Sequence, residues 1–155
     1  MHKDQVTLRP AHLADAWVIA EYNIAMALET EGKVLDPETV RKGVAAVLSD
    51  PAKGFYLLAE SGGQVVGQAM VTFEWSDWRD GVFWWLESVY VLPDFRRRGV
   101  FACLFRALEA EGRARPGVVG LRLYVDHENL AAQETYRHLG MAASNYALYE
   151  LEFGD

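Results

Sequence analysis

Cysteine is almost missing from this 155-residue sequence, with Cys103 the single one present. One thiol allows no internal disulfide and no cysteine-rich zinc site, and it suits a reducing compartment, so a cytoplasmic location is expected. No run reaches the ~18 consecutive apolar residues that span a bilayer, so no membrane partner is expected. Met1-His2-Lys3-Asp4-Gln5 leads into a short alternating stretch without the apolar core of a signal peptide. Positive charge is also scarce: 15 Lys and Arg stand against 22 Asp and Glu, a formal charge of -7. Nucleic acid needs a basic face, so it is not expected as a partner. Repeats, low-complexity tracts and long linkers are absent. What remains is 51% hydrophobic and 24% charged, far from the composition of a disordered chain. At this length folding hides roughly 70% of the unfolded surface, so a single domain over 1–155 needs neither disulfide nor metal, and no metal site is expected.

The five prolines fall at boundaries. Val6 to Arg9 alternates as a short strand ended by Pro10, and Asp15 is placed to cap a helix carrying Trp17, Ile19, Ala20, Ile24, Ala27 and Leu28, closed by Gly32. Pro37 opens a second helix with Val40, Val44, Val47 and Leu48, stopped by Asp50-Pro51. Phe55–Ala59 and Val65–Trp75 read as a hairpin around Ser61-Gly62-Gly63, and Val82–Leu92, apolar on both faces, reads as a covered central strand. Beyond Pro93, Val100, Cys103, Leu104, Ala107 and Leu108 form a helical stripe that Pro116-Gly117 closes. Leu121, Leu123 and Val125 alternate as a strand, reached by a crossover from Val82–Leu92. Asn129 caps a helix that stops at Gly140, and Tyr146 to Phe153 reads as a final strand, with room for one more short strand after Met141. The expected class is mixed α/β.

The stretch richest in chemistry is Val89-Tyr90-Val91-Leu92-Pro93-Asp94-Phe95-Arg96-Arg97-Arg98-Gly99-Val100-Phe101-Ala102. A buried strand runs into a turn, three arginines, a glycine and the start of a helix. Helix N-termini present unpaired N–H groups and a positive dipole end. Gly99 tolerates positive φ and close approach of a ligand, and arginines add charge-assisted donors for phosphate oxygens. The arrangement suits a pyrophosphate, although the triphosphate loop G-x-x-x-x-G-K-[ST] and the dinucleotide fingerprint G-x-G-x-x-G are both absent. A solvated charge run opening an ordinary helix is the plain alternative.

Arg96-Arg97-Arg98-Gly99-Val100-Phe101 resembles the pyrophosphate loop of the GNAT-type N-acetyltransferase superfamily, [QR]-x-x-G-x-[GA]. Ser88-Val89-Tyr90-Val91-Leu92-Pro93 is similar to that family's central strand and turn. Leu123-Tyr124-Val125 with Asn129, Ala132, Tyr136, Leu139 and Gly140 is similar to its second motif, N-x-x-A-x-x-x-Y-x-x-x-G. The resemblance runs from Val6 to Phe153. It implies the acyl-CoA N-acyltransferase fold, a mixed, mostly antiparallel twisted sheet flanked by helices. One position departs: Phe101 stands where the family has Gly or Ala, so its ring must turn away from the pyrophosphate.

The implied reaction is direct transfer of an acetyl group from acetyl-coenzyme A, a cosubstrate, to a primary amine. Val89, Tyr90 and Val91 take the role of the strand backbone that contacts the cofactor. Arg97, Arg98, Gly99, Val100, Phe101 and Ala102 take the loop role, with Arg96 as a further donor and Asn129 from the second motif. Tyr136 is the implied acid for the departing thiolate, its alternative being a core tyrosine beside Leu139. Phe83, Trp85, Glu87, Val89 and Val91 share one strand face by the period of two, which puts a carboxylate among apolar groups, costly unless bonded or solvated. Leu86-Glu87-x-x-Tyr90-Val91 is similar to the strand of polyamine acetyltransferases, where a glutamate handles the amine, so Glu87 is the candidate base, its alternative a structural carboxylate.

Trp75, Trp78, Trp84 and Trp85 bracket one turn. They read either as a hairpin packed on the N-terminal helices or on a second subunit, hence a candidate homodimer, or as an aromatic wall for an amine, with Trp85 in contact. Glu21, Glu29 and Glu31 lie near the end of the first helix, which shapes the acceptor site in this superfamily, and Glu29 is the candidate substrate contact. Cys103, on the apolar stripe, reads as core filler, and His138 as surface. The expected acceptor is a small cationic amine. The alternatives are protein N-termini or lysines and, in another class, a coenzyme A-binding regulatory module without catalysis.

Overall fold

The computed structural model describes residues 5–154, which form two compact units, 5–124 and 125–154. In the first, β1 (Thr7–Pro10), β2 (Phe55–Ser61), β3 (Gln64–Ser76), β4 (Gly81–Val91) and β5 (Val118–Leu123) build one sheet in that spatial order. Only β4 and β5 run parallel, and the other neighbours are antiparallel. Helices α1 (Ala16–Glu31) and α2 (Pro37–Ser49) follow β1, and α3 (Val100–Ala114) makes the crossover to β5. The expected class, a mixed and mostly antiparallel α/β sheet with helices, is the one observed.

Local chemistry explains most boundaries. The Asp36 carboxylate accepts from Thr39 N at 3.0 Å ahead of Pro37, so α2 starts with a side-chain cap and a residue that needs no amide partner. Gly32, at φ 63°, lets the last carbonyls of α1 be met as the chain turns off. Asp15 does not cap α1. Its carboxylate accepts from His12 N at 2.7 Å and from both ends of the Arg9 guanidinium at 2.8 Å, because a short 3-10 turn, Leu13–Asp15, already feeds the helix.

Each sheet face has its own core. Tyr56, Leu58 and Met70 pack with Ile19, Ala20 and Val44 of α1 and α2 on one side, and Ala59, Val66 and Val91 pack with Val100 and Leu104 of α3 on the other.

Two strand expectations change. β5 begins three residues before Leu121, because Gly120, which interrupts the alternating pattern, is required by packing: a Cβ there would lie 2.9 Å from the Phe83 ring. In β4 the face shared by Phe83 through Val91 is broken by a bulge. Gln68 pairs with Tyr90 and Met70 with Glu87, so Ser88 and Val89 together oppose Ala69, with Ser88 at φ 50°. Glu87 therefore lies opposite Met70 on the α1/α2 face, while Val91 packs with α3.

The second unit holds α4 (Leu130–His138). Among the described residues, 141–154 contains no strand, so neither the expected strand Tyr146–Phe153 nor one after Met141 is present. Alternation sets which way side chains would point, but a strand also needs a ladder, and α4, the one helix of this unit, offers none.

Candidate functional site

The strand-to-helix junction sits where the sequence places it. After β4, a 3-10 turn (Pro93–Phe95) and residues 96–99 lead to α3. Gly99 occupies the N-cap position at φ 80°, and Arg97 also has positive φ, 64°. These left-handed residues reverse the chain so that α3 starts at once, with Val100, Phe101 and Ala102 as its first turn. Nothing lies within 4 Å of the place a Gly99 Cβ would take, so the backbone there is approachable. A positive dipole end, backbone amides and guanidinium groups are the donors that a doubly charged phosphate ester needs. The Phe101 ring lies against Phe105 one turn along α3, centroids 6.1 Å apart. The Arg98 guanidinium sits 5.4 Å from the Phe95 ring.

Arg96 is differently engaged. Its Nε donates to the Val91 carbonyl and its Nη2 to Glu29 Oε2, both at 2.8 Å. Glu29 accepts a second bond, at 3.0 Å, from the Tyr90 hydroxyl. Arg96 and Tyr90 hold the Glu29 carboxyl below the usual carboxylate range, while burial, aided by Glu29, pushes the Tyr90 phenol up. The loop, β4 and the end of α1 are thus tied through three side chains that the sequence assigned separately to cofactor and substrate.

Glu87 is half-buried and has no hydrogen bond or ion pair among the described residues. Trp85 stacks on Tyr124 with centroids 4.4 Å apart and donates to Glu74 Oε1 at 2.8 Å, which Arg122 also reaches at 2.8 Å. Those two donors hold the Glu74 carboxyl low. The tryptophans divide: Trp75 and Trp78 are 65% and 88% exposed, whereas Trp84 is buried against Phe55 and the Arg115 guanidinium. Trp84 packs under α3 beside Gly112 and not on the N-terminal helices, since β4 turns it to the other face. Cys103 is half-buried in α3, and His138 is exposed beside Glu134.

A buried polar cluster was missed. Gln68 Nε2 donates to Asn23 Oδ1 at 2.8 Å and to the Ser88 carbonyl at 3.0 Å, and Asn23 Nδ2 donates to the Tyr56 hydroxyl at 3.1 Å. Burial pushes the Tyr56 phenol up. Gln68 is fully buried, yet its Oε1 has no partner, a deficit of about 1–3 kcal/mol. The signal was legible: one amide inside Val65-Val66-Gly67-Gln68-Ala69-Met70-Val71.

In the second unit, Asn129 Oδ1 accepts from Ala132 N at 3.1 Å, so its side chain is the cap of α4, as its spacing suggests. Gln133 Nε2 donates to the carbonyls of Asp126 and His127 at 3.0 and 3.1 Å, fastening the approach to the helix. Tyr136 lies about two turns on from Asn129. It is half-buried, and burial pushes its phenol up, so the proton stays on at neutral pH.

No curated protein matches the chain. Among solved structures, one described as "a possible acetyltransferase" from Clostridium difficile 630 is 43% identical, with a TM-score of 0.90 over 97% of this chain and 99% of that one. A ribosomal-protein-alanine N-acetyltransferase from Brucella melitensis biovar Abortus 2308 is 21% identical, with a TM-score of 0.77 over 97% and 100% of the two chains. The aminoglycoside N-acetyltransferase AAC(6')-Iy in complex with CoA is 18% identical, with a TM-score of 0.73 over 96% and 95%. These last two share the fold. The sequence model of the Acetyltransferase (GNAT) family matches residues 16–141, most of the chain and all of the junction described above. With that coverage and the 43% identical relative, the chain belongs to the GNAT family of acetyltransferases.

Proposed function

We propose that this protein moves an acetyl group from acetyl-coenzyme A to the primary amine of a small cationic molecule. The observation that carries the reading is the β4–α3 junction, where left-handed Arg97 and Gly99 bring the first turn of a helix and three arginines into one loop. That loop fits a pyrophosphate in charge and in open backbone. Val100, Phe101 and Ala102 would bond its oxygens through backbone N–H, with Arg97 and Arg98 as charged donors, while Arg96 braces the loop against Glu29. The backbone of Val89, Tyr90 and Val91 would hold the thioester along the edge opened by the bulge.

The chemistry needs a neutral amine, a stabilised oxyanion and a proton for the leaving sulfur. Glu87, half-buried and unpartnered, takes the proton from the amine. The amine nitrogen bonds the acetyl carbon, the carbon–sulfur bond breaks, and the thiolate takes the Tyr136 proton, which the collapsing adduct's nitrogen replaces. A phenol raised by burial is protonated at neutral pH, as this step requires. The stacked Trp85 and Tyr124 rings, with the Glu74 carboxylate bonded to the Trp85 indole, support a cationic acceptor. The neighbours named for an aminoglycoside and for a ribosomal protein's alanine support an amine in either a small molecule or a peptide.

The test is thiol release from acetyl-coenzyme A with polyamines, amino acids, aminoglycosides and peptides offered one at a time. Release that depends on one class identifies the acceptor. Tyr136→Phe is expected to lower kcat with little change in acetyl-coenzyme A affinity, and Glu87→Gln to flatten the rise of rate with pH. Coenzyme A binding without amine-dependent release from any class would replace this reading with a regulatory binding module.

A further inference from the structure

We infer that Gln68 is a positioning residue for the reaction proposed above: its carboxamide fixes the β4 bulge at Ser88, and with it Glu87 on one side and the Val89–Val91 backbone on the other. This rests on the acetyltransferase reading for its catalytic consequence, but not for its geometry.

Gln68 is fully enclosed, and an apolar residue of its length would fill the same space without stranding an oxygen. What the amide adds is its Nε2, both of whose protons are used, one on the Ser88 carbonyl and one on Asn23 Oδ1. Ser88 is the residue that needs such help. At φ 50° a serine occupies a strained region of backbone space, and at a bulge the ladder bonds that would hold a strand residue are locally disrupted. Gln68, in the neighbouring strand at the register position facing Tyr90, supplies the missing donor from below.

The grip extends to other elements. Asn23 anchors the amide to α1 and donates to the Tyr56 hydroxyl of β2. The Ser88 carbonyl is therefore tied through Gln68 to α1 and, by way of Asn23, to β2. Glu87 precedes it directly, and Tyr90, which carries the bond to Glu29, lies two residues beyond. A peptide rotation at Ser88 would swing the candidate base and the thioester-facing backbone in opposite senses. A bulge that aims side chains is useful only while its shape is fixed.

The decisive variant is Gln68→Met, which keeps length and removes the amide. Hydrogen–deuterium exchange is expected to be faster at Ser88–Val91 by roughly tenfold or more, while the rest of the sheet and the melting temperature hold or improve. With acetyl-coenzyme A and whichever of spermidine, kanamycin or an alanine-initiated peptide the wild type acetylates, kcat should fall by roughly 10- to 100-fold with the KM for acetyl-coenzyme A unchanged. Unaltered exchange at Ser88–Val91 overturns the inference, as does an unaltered kcat. If the wild type turns over none of the three acceptors, the acetyltransferase reading fails while the exchange result still decides the geometry. If Gln68→Met does not fold, Gln68→Glu decides. Its protonated carboxyl can donate to the Ser88 carbonyl and its carboxylate cannot, so exchange at Ser88–Val91, corrected for intrinsic rates, should accelerate relative to wild type as pH rises. A pH-independent ratio overturns the inference.

Discussion

Gly67 offers a direct test of whether the start of α3 is the anion site, because its backbone lies under that helix. A Cβ on Gly67 would stand 2.8 Å from Val100 Cγ1, 3.5 Å from Leu104 Cδ1 and 3.6 Å from the Ala59 Cβ. The last two are ordinary contacts, but carbon pairs are most favourable at about 3.5–4.0 Å, so the first is an overlap of roughly 0.7 Å or more. Val100 cannot escape by rotation: it is 4% exposed, and a β-branched side chain in a helix has one strongly preferred rotamer. Gly67→Ala must therefore lift the first turn of α3. Overpacking of this kind costs about 1–3 kcal/mol, against which alanine recovers about 0.5–1 kcal/mol of backbone entropy. The expected net loss is about 1–2 kcal/mol, a fall in melting temperature of roughly 2–8 °C for a chain of this size. Val100 also supplies one of the amides of the first turn, so its displacement should weaken coenzyme A binding by about tenfold, the value of one misaligned charge-assisted bond. Calorimetric titration with coenzyme A and a thermal melt measure both. Gly43→Ala in α2, where nothing lies within 4 Å of the new methyl, is the control and should bind normally. A destabilised Gly67→Ala protein that binds coenzyme A with wild-type affinity would refute the placement of the anion site.

Arg97→Ala and Arg98→Ala should each weaken coenzyme A binding by roughly tenfold, more at low salt, as removal of a phosphate donor does. Arg96→Ala should do less to that affinity, since its guanidinium already serves Glu29 and the Val91 carbonyl, and titration of the three variants ranks them. Asp15→Asn should cost about 1–2 kcal/mol at neutral pH by breaking the paired bonds to Arg9. Arg9 holds the Asp15 carboxyl below the ordinary carboxylate range, so this stabilisation is complete above the unfolded pKa and is lost as pH falls through the folded one. Denaturant titrations of the two proteins should accordingly converge in acid.

Elements whose cause is local were legible in the sequence. The Asp36-Pro37 start of α2, the Asn129 cap of α4 and the arginine-glycine approach to α3 all follow from residues within one turn of the feature. What escaped depends on partners distant along the chain. No glycine marks the β4 bulge, so a period of two runs through Ser88 on paper, and only the register against β3 reveals the extra residue. Glu29 and Arg96 are 67 positions apart, and nothing near either announces that they pair. Tyr146 to Phe153 shows the converse, a strand-like pattern without a ladder in its own unit. Gln68 lies between these cases, because its oddity was visible while its purpose required the fold.

Strand order in the sheet repeats strand order in the chain, and this shapes how the protein is assembled. β2, β3 and β4 can zip together through short turns, each closure costing little chain entropy because the joined segments are near neighbours. The parallel β4–β5 pairing is different, since the whole of α3 must be spanned before one ladder bond forms. The meander is thus the cheap part of folding, and the crossover that carries the proposed anion site is the expensive one. A ligand bridging that site and β4 would add its binding energy at that costly closure, so coenzyme A should protect α3 and β5 against opening more than it protects the β2–β3 hairpin.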